Sequence, residues 1–310
     1  MEKLKVCFTG IGSIANRHIK NLRTIAEKRK ILLTIDAYRR TFSHVEGVDS
    51  IYTDLSDIPD DYDVIFITNP TDMHIKTLRD FHGKGKNFFI EKPVVSLSQI
   101  QEARNFMLRE DSVYYVACPL RYSAVIQHIK NNVNLDDVIS VRSISSSYLP
   151  NWRVGQDYRK SYSAHKTMGG GVSVDLIHEW DYLTYLFGWP QNVHSFIGKK
   201  SQLEIDSDDY AIYIAEYEKL VVELHLDYFG RQTIREIQLF TNTDTIRGDI
   251  AGNCVYYMNS QEVFDFREER NDYQKRELET FIDMIQDHET MVNGFNHGIK
   301  VLELTQGRMS

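Results

Sequence analysis

The chain opens with a strand, a glycine turn and a helix in direct succession. Lys5–Thr9 is apolar and β-prone, and Ile19, Leu22 and Ile25 then recur at helical spacing. Between them Gly10–Ala15 reads GIGSIA, which has the form G-x-G-x-x-A. The first glycine permits a tight turn, the second lets a pyrophosphate approach the backbone, and the small last residue lets helix and strand pack closely. The pattern predicts a dinucleotide whose phosphates lie at the helix N-terminus.

The second predicted strand, residues 31–38, ends where the adenosine ribose of such a dinucleotide would lie. An acidic residue at this place usually selects NAD, and an arginine accommodates the 2'-phosphate of NADP. Here the strand runs into Arg39 and Arg40, while Asp36 lies two residues before the end of the apolar run. The pattern therefore favours NADP over NAD. The alternative that both arginines are solvated loop cations stays open.

Polar residues follow two further apolar runs. Residues 64–68 lead into Asn69-Pro70, and Phe88–Ile90 leads into Glu91-Lys92-Pro93. Apolar runs this short are typical of parallel strands that are covered on both faces. The carboxyl ends of such strands form the edge where open α/β sheets bind ligands. Lys92 is therefore predicted to reach into a crevice.

Helices alternate with these strands, which predicts a doubly wound parallel sheet, a Rossmann domain, over residues 1–120. The candidate cofactor-binding residues share the predicted ligand edge of this sheet. They are Gly10, Gly12, Ser13, Ile14, Ala15, Arg39, Arg40, Thr68, Asn69, Pro70, Glu91 and Lys92.

From residue 121 onward strand-like segments follow one another with few helices between them. This pattern predicts an α+β domain over residues 121–310, with a large, mostly antiparallel sheet and a core of its own. The predicted strands are 138–148, 193–197, 210–217, 220–228, 234–241 and 254–258, and helical patterns return at 278–286 and 298–304.

A long insertion, residues 149–188, separates the first two of these strands and begins with aromatic and basic residues. Such side chains stack on sugar rings and bind phosphate or carboxylate groups. Loops of this length are either functional or interface-forming, and both readings stay open for the individual residues. The candidate substrate-binding residues are Arg121, Trp152, Arg153, Tyr158 and Tyr162.

The insertion continues with a glycine triplet, Gly169–Gly171, and with residues that pattern as one helix reaching Leu186. Asp175 and His178 are three residues apart on that helix and so share a face. Histidine titrates near neutrality and a carboxylate can orient it, so the pair is a candidate proton-transfer site. The alternative is an ordinary hydrogen-bonded couple.

Composition excludes several other classes of protein. The net charge of -8 argues against nucleic-acid or membrane-surface partners. Cys7, Cys118 and Cys254 are isolated in the sequence, which predicts neither disulfides nor a metal site and favours a reducing, cytoplasmic location. No apolar stretch approaches the roughly 18 residues that a membrane helix needs.

The glycine motif, the Glu91-Lys92-Pro93 turn and the glycine-triplet helix, in this order, resemble the glucose-fructose oxidoreductase, inositol dehydrogenase and MocA family. The resemblance covers nearly the whole chain. It implies that Lys92 and His178 are the family's catalytic lysine and histidine. The family's aspartate precedes its histidine by four residues, whereas Asp175 precedes His178 by three.

The resemblance further implies hydride transfer between NAD(P) and a secondary hydroxyl or ketone of a sugar, nucleotide sugar or cyclitol. It implies that residues 121–310 bind substrate and that their open sheet joins subunits in a homodimer or homotetramer. Two alternatives stay open. One is a non-catalytic NAD(P)-binding sensor or scaffold, and the other is a relative that cleaves glycosidic bonds by transient oxidation with NAD.

Overall fold

A computed structural model describes residues 2–287 and 293–308 of the chain, and these fall into two compact units. The first unit consists of the described residues up to Ala117 together with those from Gln274 to Ile299. The second runs from Cys118 to Tyr273 and resumes at Lys300. The chain thus returns to the first unit after completing most of the second, a feature that the prediction of two contiguous domains does not contain.

The first unit is built on a six-stranded sheet in which every paired strand is parallel. The spatial order is β3-β2-β1-β4-β5-β6, which confirms the predicted doubly wound Rossmann sheet. Its strands are β1 (Lys3–Thr9), β2 (Leu32–Tyr38), β3 (Ser50–Tyr52), β4 (Tyr62–Ile67), β5 (Gly85–Ile90) and β6 (Tyr114–Val116). Helices α1 (Ser13–Arg29), α2 (His74–Phe81) and α3 (Ile100–Arg104) connect them.

The apolar runs of this sheet are buried on both faces, as the absence of alternation predicts. Phe66 and Phe89 are at most 1% exposed, and their rings stack at a centroid distance of 4.9 Å. Phe281 packs its ring edge-on against both, at 6.2 and 5.2 Å. Because Phe281 lies on α7 (Arg270–Asp287), this late helix completes the core of the first unit.

The second unit contains an eight-stranded sheet in the order β14-β13-β12-β11-β7-β10-β9-β8. All its neighbouring strands are antiparallel except β7 and β10, which confirms the predicted mostly antiparallel sheet. Its strands are β7 (Val138–Tyr148), β8 (Asn192–Gly198), β9 (Tyr210–Glu216), β10 (Val221–Asp227), β11 (Phe229–Thr241), β12 (Thr245–Asp249), β13 (Cys254–Tyr257) and β14 (Val263–Asp265).

Residues alternate between the two faces of this sheet. Ala211, Tyr213 and Ala215 of β9 are fully buried, whereas Ile212 and Ile214 between them are half-buried on the other face. Helices α4 (Ala124–Asn132), α5 (Val172–Asp175), α6 (His178–Phe187) and α8 (Phe295–Leu304) complete the helices of the chain that the structure describes. None of the described helices is both long and apolar enough to cross a bilayer.

The predicted single helix after the glycine triplet is divided in two. Helix α5 ends at Asp175, and α6 begins at His178. Leu176 leaves the helical region with φ -96° and ψ 33°, and the N–H of Ile177 bonds the carbonyl of Val174 three residues back. Asp175 and His178 therefore lie on two short helices joined by a tight turn. The prediction that they share one face of a single helix was wrong.

Candidate active site

The carboxyl ends of five strands are aligned in the first unit. The register pairs Tyr38 with Thr9, Thr9 with Ile67, Ile67 with Ile90, and Ile90 with Val116. The residues that follow continue this alignment, since the N–H of Gly10 bonds the Tyr38 carbonyl at 2.9 Å and the N–H of Glu91 bonds the Ile67 carbonyl at 3.0 Å. We call Gly10–Ala15, Arg39, Thr68–Asn69 and Glu91–Lys92 the edge cluster.

The two glycines of the edge cluster have different surroundings. Gly10 has φ +86°, and a Cβ there would lie 3.0 Å from the Cα and Cβ of Asn69. Gly12 precedes the first residue of α1, and a Cβ built on it would meet no atom within 4 Å. Internal packing therefore explains Gly10, whereas nothing in the described chain requires Gly12, which is what a site for an approaching phosphate would show.

The first turn of α1 fits an anionic ligand. No side chain caps this N-terminus, and the first turn contains no acidic residue. The first N–H groups of a helix have no partner within the helix, and the dipole favours negative charge there. Ala15 is fully buried in the core beside the sheet, which is the role expected of the small residue that ends the motif. Ser13 is exposed and Ile14 half-buried.

Thr68 and Asn69 join the end of β4 to the glycine turn. The Thr68 hydroxyl donates to the Gly10 carbonyl at 2.8 Å, and the Asn69 amide nitrogen donates to the Thr77 hydroxyl at 2.7 Å. The side-chain oxygen of Asn69 is buried and accepts no hydrogen bond from the described residues. A ribose hydroxyl would satisfy such an acceptor, so this position fits a dinucleotide. Pro70 is exposed directly after it.

The end of β2 offers a cation at the edge and no carboxylate. Asp36 is 3% exposed, and its carboxylate accepts a hydrogen bond from the buried Tyr62 hydroxyl at 2.7 Å. It therefore lies inside the unit. Arg39 is half-buried immediately after the strand, and its backbone N–H donates to the Tyr52 carbonyl at 3.0 Å. Arg40, the next residue, is exposed.

Two buried histidines that the sequence interpretation did not assign hold the turn containing Lys92. His18 of α1 is 1% exposed, and its Nε2 lies 2.6 Å from a carboxylate oxygen of Glu91. His74 of α2 is equally buried, with Nε2 3.0 Å from the Asn69 carbonyl and Nδ1 3.2 Å from the Val94 carbonyl. Lys92 thus lies between Glu91, which is bound to His18, and Val94, which is bound to His74.

The surroundings shift the pKa values of two of these groups. Burial raises the pKa of Glu91, but the hydrogen bond and charge of His18 and the charge of Lys92 outweigh it, so the net pKa is lowered. Burial lowers the pKa of His74 and favours its neutral form. A neutral imidazole has one N–H, so His74 donates to one of its two carbonyl neighbours at a time.

In the second unit Asp175 is held by residues distant in sequence. Its carboxylate is 5% exposed and accepts the Tyr228 hydroxyl at 2.5 Å. Burial, and then the charge of Asp175 and this bond, raise the pKa of Tyr228 far above its usual value. Burial of the phenol, and then the charge of Asp175, also raise the pKa of Tyr162. We call Asp175, Tyr162, Tyr228 and the half-buried His178 the Asp175 cluster.

Close contacts require glycine at two positions of the triplet, Gly170 and Gly171. A Cβ on Gly170 would lie 2.0 Å from the Tyr162 carbonyl oxygen. Gly171 has φ +137°, and its Cβ would lie 2.2 Å from the Asp208 carboxylate. That carboxylate accepts the N–H of Ser173 at 2.9 Å, at the start of α5. Burial, with a smaller contribution from the charge of Asp175, raises the pKa of Asp208.

The predicted substrate-binding residues divide into two groups. Trp152, Arg153 and Tyr158 line one cavity, and Arg153 lies over the Tyr162 ring at 5.7 Å. Arg121 lies elsewhere, because its guanidinium forms a two-point ion pair with Asp181 at 2.6 and 2.7 Å, and both side chains are at most 4% exposed. This placement gives Arg121 a structural role and does not support its predicted role as a substrate ligand.

No group of three or more His, Cys, Asp or Glu side chains in the described ranges is arranged to hold a metal ion.

The sequence gives only a weak signal for the residues that the sequence analysis did not assign, such as His18 and Tyr228. His18 falls on the apolar face of α1 with Ala15, Ile19 and Leu22, where a polar residue is unexpected. Tyr228 has no such signal, since its partner is 53 residues away.

Comparison with known proteins agrees with this architecture. The family model described as "Oxidoreductase family, NAD-binding Rossmann fold" matches residues 4–117, and the model "GFO/IDH/MocA C-terminal domain" matches residues 126–246. A curated relative, the uncharacterized oxidoreductase YrbE of Bacillus subtilis (strain 168), is 28% identical over 186 residues. That alignment covers 58% of this chain and 52% of YrbE, so the chain spans about half the length of this relative.

Solved structures share the fold over almost the whole chain. Levoglucosan dehydrogenase is 14% identical with a TM-score of 0.84, and the superposition covers 99% of this chain and 96% of that one. UDP-N-acetylglucosamine 3-dehydrogenase GnnA from Acidithiobacillus ferrooxidans is 17% identical with a TM-score of 0.77 and the same coverage. With both family models matched in order, the chain belongs to the GFO/IDH/MocA family of oxidoreductases.

Proposed function

We propose that the protein is an NAD(P)-dependent dehydrogenase or reductase that acts on a secondary hydroxyl or ketone of a sugar, nucleotide sugar or cyclitol. The observation that carries the proposal is the edge cluster, in which a glycine turn, an uncapped helix N-terminus and Lys92 follow strands aligned in one register. The two solved relatives named above are sugar or nucleotide-sugar dehydrogenases, and one was also solved with NADH and levoglucosan, which supports this substrate class.

A bound nicotinamide supplies the hydride acceptor for oxidation, or the hydride donor for reduction. In the proposed oxidation a ring nitrogen of His178 takes the proton of the substrate hydroxyl. Lys92 donates a hydrogen bond to the same oxygen as it becomes a carbonyl. Asp175, held by the Tyr228 hydroxyl, orients the histidine or the substrate.

We propose NADP as the preferred cofactor. Arg39 follows the strand end beside the glycine turn, whereas Asp36, the nearest carboxylate on that strand, is buried against Tyr62. A guanidinium at this place binds a 2'-phosphate, and a carboxylate would bind the ribose hydroxyls of NAD. Arg40 is an exposed second cation for the same phosphate.

We further propose that the open face of the second sheet joins subunits. Phe196, Ile212 and Ile144 lie on this face, and Phe196 is 67% exposed. These residues come from strands β8, β9 and β7, with His225 of β10 between the last two. Apolar residues on several strands of one face favour association with another protein surface. Light scattering would give the mass in solution, and a monomer would contradict a dimer or tetramer.

The proposal is tested with a panel of sugars, nucleotide sugars, sugar acids and cyclitols, each with NADP and NAD. Ligands that raise the melting temperature are then assayed for net formation of reduced cofactor. We expect at least one substrate to give stoichiometric reduced cofactor, faster with NADP. Product without net reduced cofactor would favour glycoside cleavage, and cofactor binding without turnover on any compound would favour a sensor.

A further inference from the structure

Residues 149–163 enclose a cavity lined by three of the predicted substrate-binding residues, Trp152, Arg153 and Tyr158. Its volume is about 490 Å³, within the range of pockets that hold small molecules. Three short 3-10 turns, Leu149–Asn151, Tyr158–Lys160 and Tyr162–Ala164, fold this segment around the cavity. Trp152, Arg153, Tyr158, Lys160 and Ser163 are among its lining residues.

The cavity carries positive charge that the chain does not neutralise. Arg153 and Lys160 line it, and neither forms an ion pair with any residue in the described ranges. Asp157 also lines the cavity, but Arg159 binds its carboxylate at 2.8 and 3.0 Å and that of Glu204 at 3.1 Å. The cations Arg153, Arg159 and Lys160 therefore outnumber these two carboxylates by one. A local positive charge at a cavity, in a chain of net charge -8, indicates an anionic ligand.

The walls of the cavity are continuous with the Asp175 cluster. The Trp152 ring contacts the Tyr228 ring edge-on at 5.2 Å, and Tyr228 binds the Asp175 carboxylate. On another side Arg153 lies over the ring of Tyr162, whose pKa the charge of Asp175 raises after burial. A molecule in the cavity is therefore separated from Asp175 by single side chains.

We propose that this cavity binds an anionic group of the substrate, a phosphate or a carboxylate, through Arg153 and Lys160. The exposed face of Trp152, whose side chain is held by an indole N–H bond to the Ser147 hydroxyl at 2.9 Å, offers a surface for an attached ring. The assignment to the substrate rests on the function proposed above. It narrows the substrate class from sugars in general to sugar phosphates, nucleotide sugars or sugar acids.

The test follows binding at the cavity itself, through the indole N–H signal of Trp152 in an NMR spectrum. Loss of one signal in Trp152→Phe assigns it. Inorganic phosphate and acetate are titrated separately into the full-length protein. We expect a saturable shift with at least one of them, and the responding anion distinguishes a phosphate from a carboxylate.

Two double variants separate a specific site from general electrostatics. Arg153→Gln with Lys160→Gln should weaken the binding that shifts this signal by about tenfold or more, the usual effect of losing charge-assisted hydrogen bonds. Lys199→Gln with Lys200→Gln removes the same charge at exposed positions outside the cavity and should leave the affinity within about twofold. Equal weakening in both variants, or no shift with either anion in the wild type, would overturn the proposal.

This readout needs no turnover, so it is independent of the proposed function. A phosphate-dependent shift in a protein that oxidises no compound of the panel would leave the anion site standing and refute the dehydrogenase. A dehydrogenase that turns over a neutral sugar, with no shift on phosphate or acetate, would refute the anion site alone. With a charged substrate, the cavity variant should raise KM and leave cofactor affinity unchanged.

Discussion

Tyr228 determines where the Asp175 carboxylate lies. It follows β10, and its hydroxyl binds the carboxylate in a buried environment, 2.5 Å away. We predict that Tyr228→Phe lowers kcat by about tenfold. The Asp175 carboxylate loses the hydroxyl that donates to it and no longer holds one orientation. The fall should appear in kcat and leave cofactor affinity unchanged.

Tyr182 provides the matched control for this prediction. It is also fully buried, and its hydroxyl bonds the Ser143 hydroxyl at 2.6 Å, away from Asp175. Both Tyr→Phe changes should cost about 1–2 kcal/mol of unfolding free energy. Steady-state kinetics and thermal unfolding are measured on both variants. An equal loss of kcat in Tyr182→Phe, or none in Tyr228→Phe, would show that Tyr228 has no positioning role.

Glu91 makes a pH-dependent contribution to stability. Its folded-state pKa is lowered net, because His18 and Lys92 outweigh burial, so the contribution is fully present above its unfolded pKa of about 4.3. It is lost as the pH falls through the folded-state pKa. We predict that Glu91→Gln costs about 1–2 kcal/mol at neutral pH, and that its difference from wild type narrows in acid.

Denaturant unfolding at a series of pH values measures this difference, with Glu110→Gln at an exposed position as the control. A Glu91→Gln deficit that stays constant down to strongly acid pH would contradict a lowered pKa for Glu91.

At the residue scale the sequence predicted which positions reach the sheet edge and not what holds them. Gly10, Asn69 and Lys92 follow directly from apolar runs that stop on polar residues. The contacts of Glu91 with His18 and of Asp175 with Tyr228 join residues 73 and 53 positions apart. Local patterns contain no information on such pairs, because the packing of whole elements creates them.

At the scale of elements, the two glycine-rich turns differ in what surrounds them. A Cβ on Gly12 meets open space, whereas one on Gly170 meets the Tyr162 carbonyl at 2.0 Å. We predict that Gly12→Ala folds with nearly wild-type stability and binds the dinucleotide at least about tenfold more weakly. Gly170→Ala should lose about 3 kcal/mol or more, because backbone must move to admit the methyl group.

Thermal unfolding and cofactor titration on both variants check this pair. Normal cofactor affinity in Gly12→Ala would remove the support that this glycine gives to the phosphate site. Normal stability in Gly170→Ala would mean that the contact between the triplet and residues 162–163 is not tight.

Strand β7 was predictable, whereas two three-residue strands and the division of one helix were not. Strand β7 occupies the predicted residues 138–148, because its apolar and polar residues leave a clear pattern. Strands β3 and β14 have three residues each, too few to show a period. The break between α5 and α6 also escaped prediction, since Leu176 and Ile177 fit a helical apolar pattern and leave it only through their backbone angles.

For the whole molecule, the return of the chain to the first unit is the main feature that composition could not reveal. Phe281 is 1% exposed and contacts Phe66, Phe89 and Tyr115, all of the parallel sheet. We predict that Phe281→Ala lowers the free energy of unfolding by about 3–5 kcal/mol. Phe42→Ala, at a site 80% exposed, should change it by no more than about 0.5 kcal/mol.

Chemical denaturation of the two variants gives these values. A small effect at Phe281 would mean that the first unit does not depend on α7, and that residues 1–120 suffice for its core.

The most direct test of the proposed dehydrogenase compares Lys92→Ala with Lys86→Ala, an exposed lysine of β5, the strand that ends two residues before Lys92. Formation of reduced cofactor from the true substrate and the Kd of the dinucleotide are measured for both. We expect Lys92→Ala to lose about a hundredfold or more in kcat while its Kd stays within about twofold, and Lys86→Ala to match wild type. Wild-type turnover in Lys92→Ala would contradict this expectation.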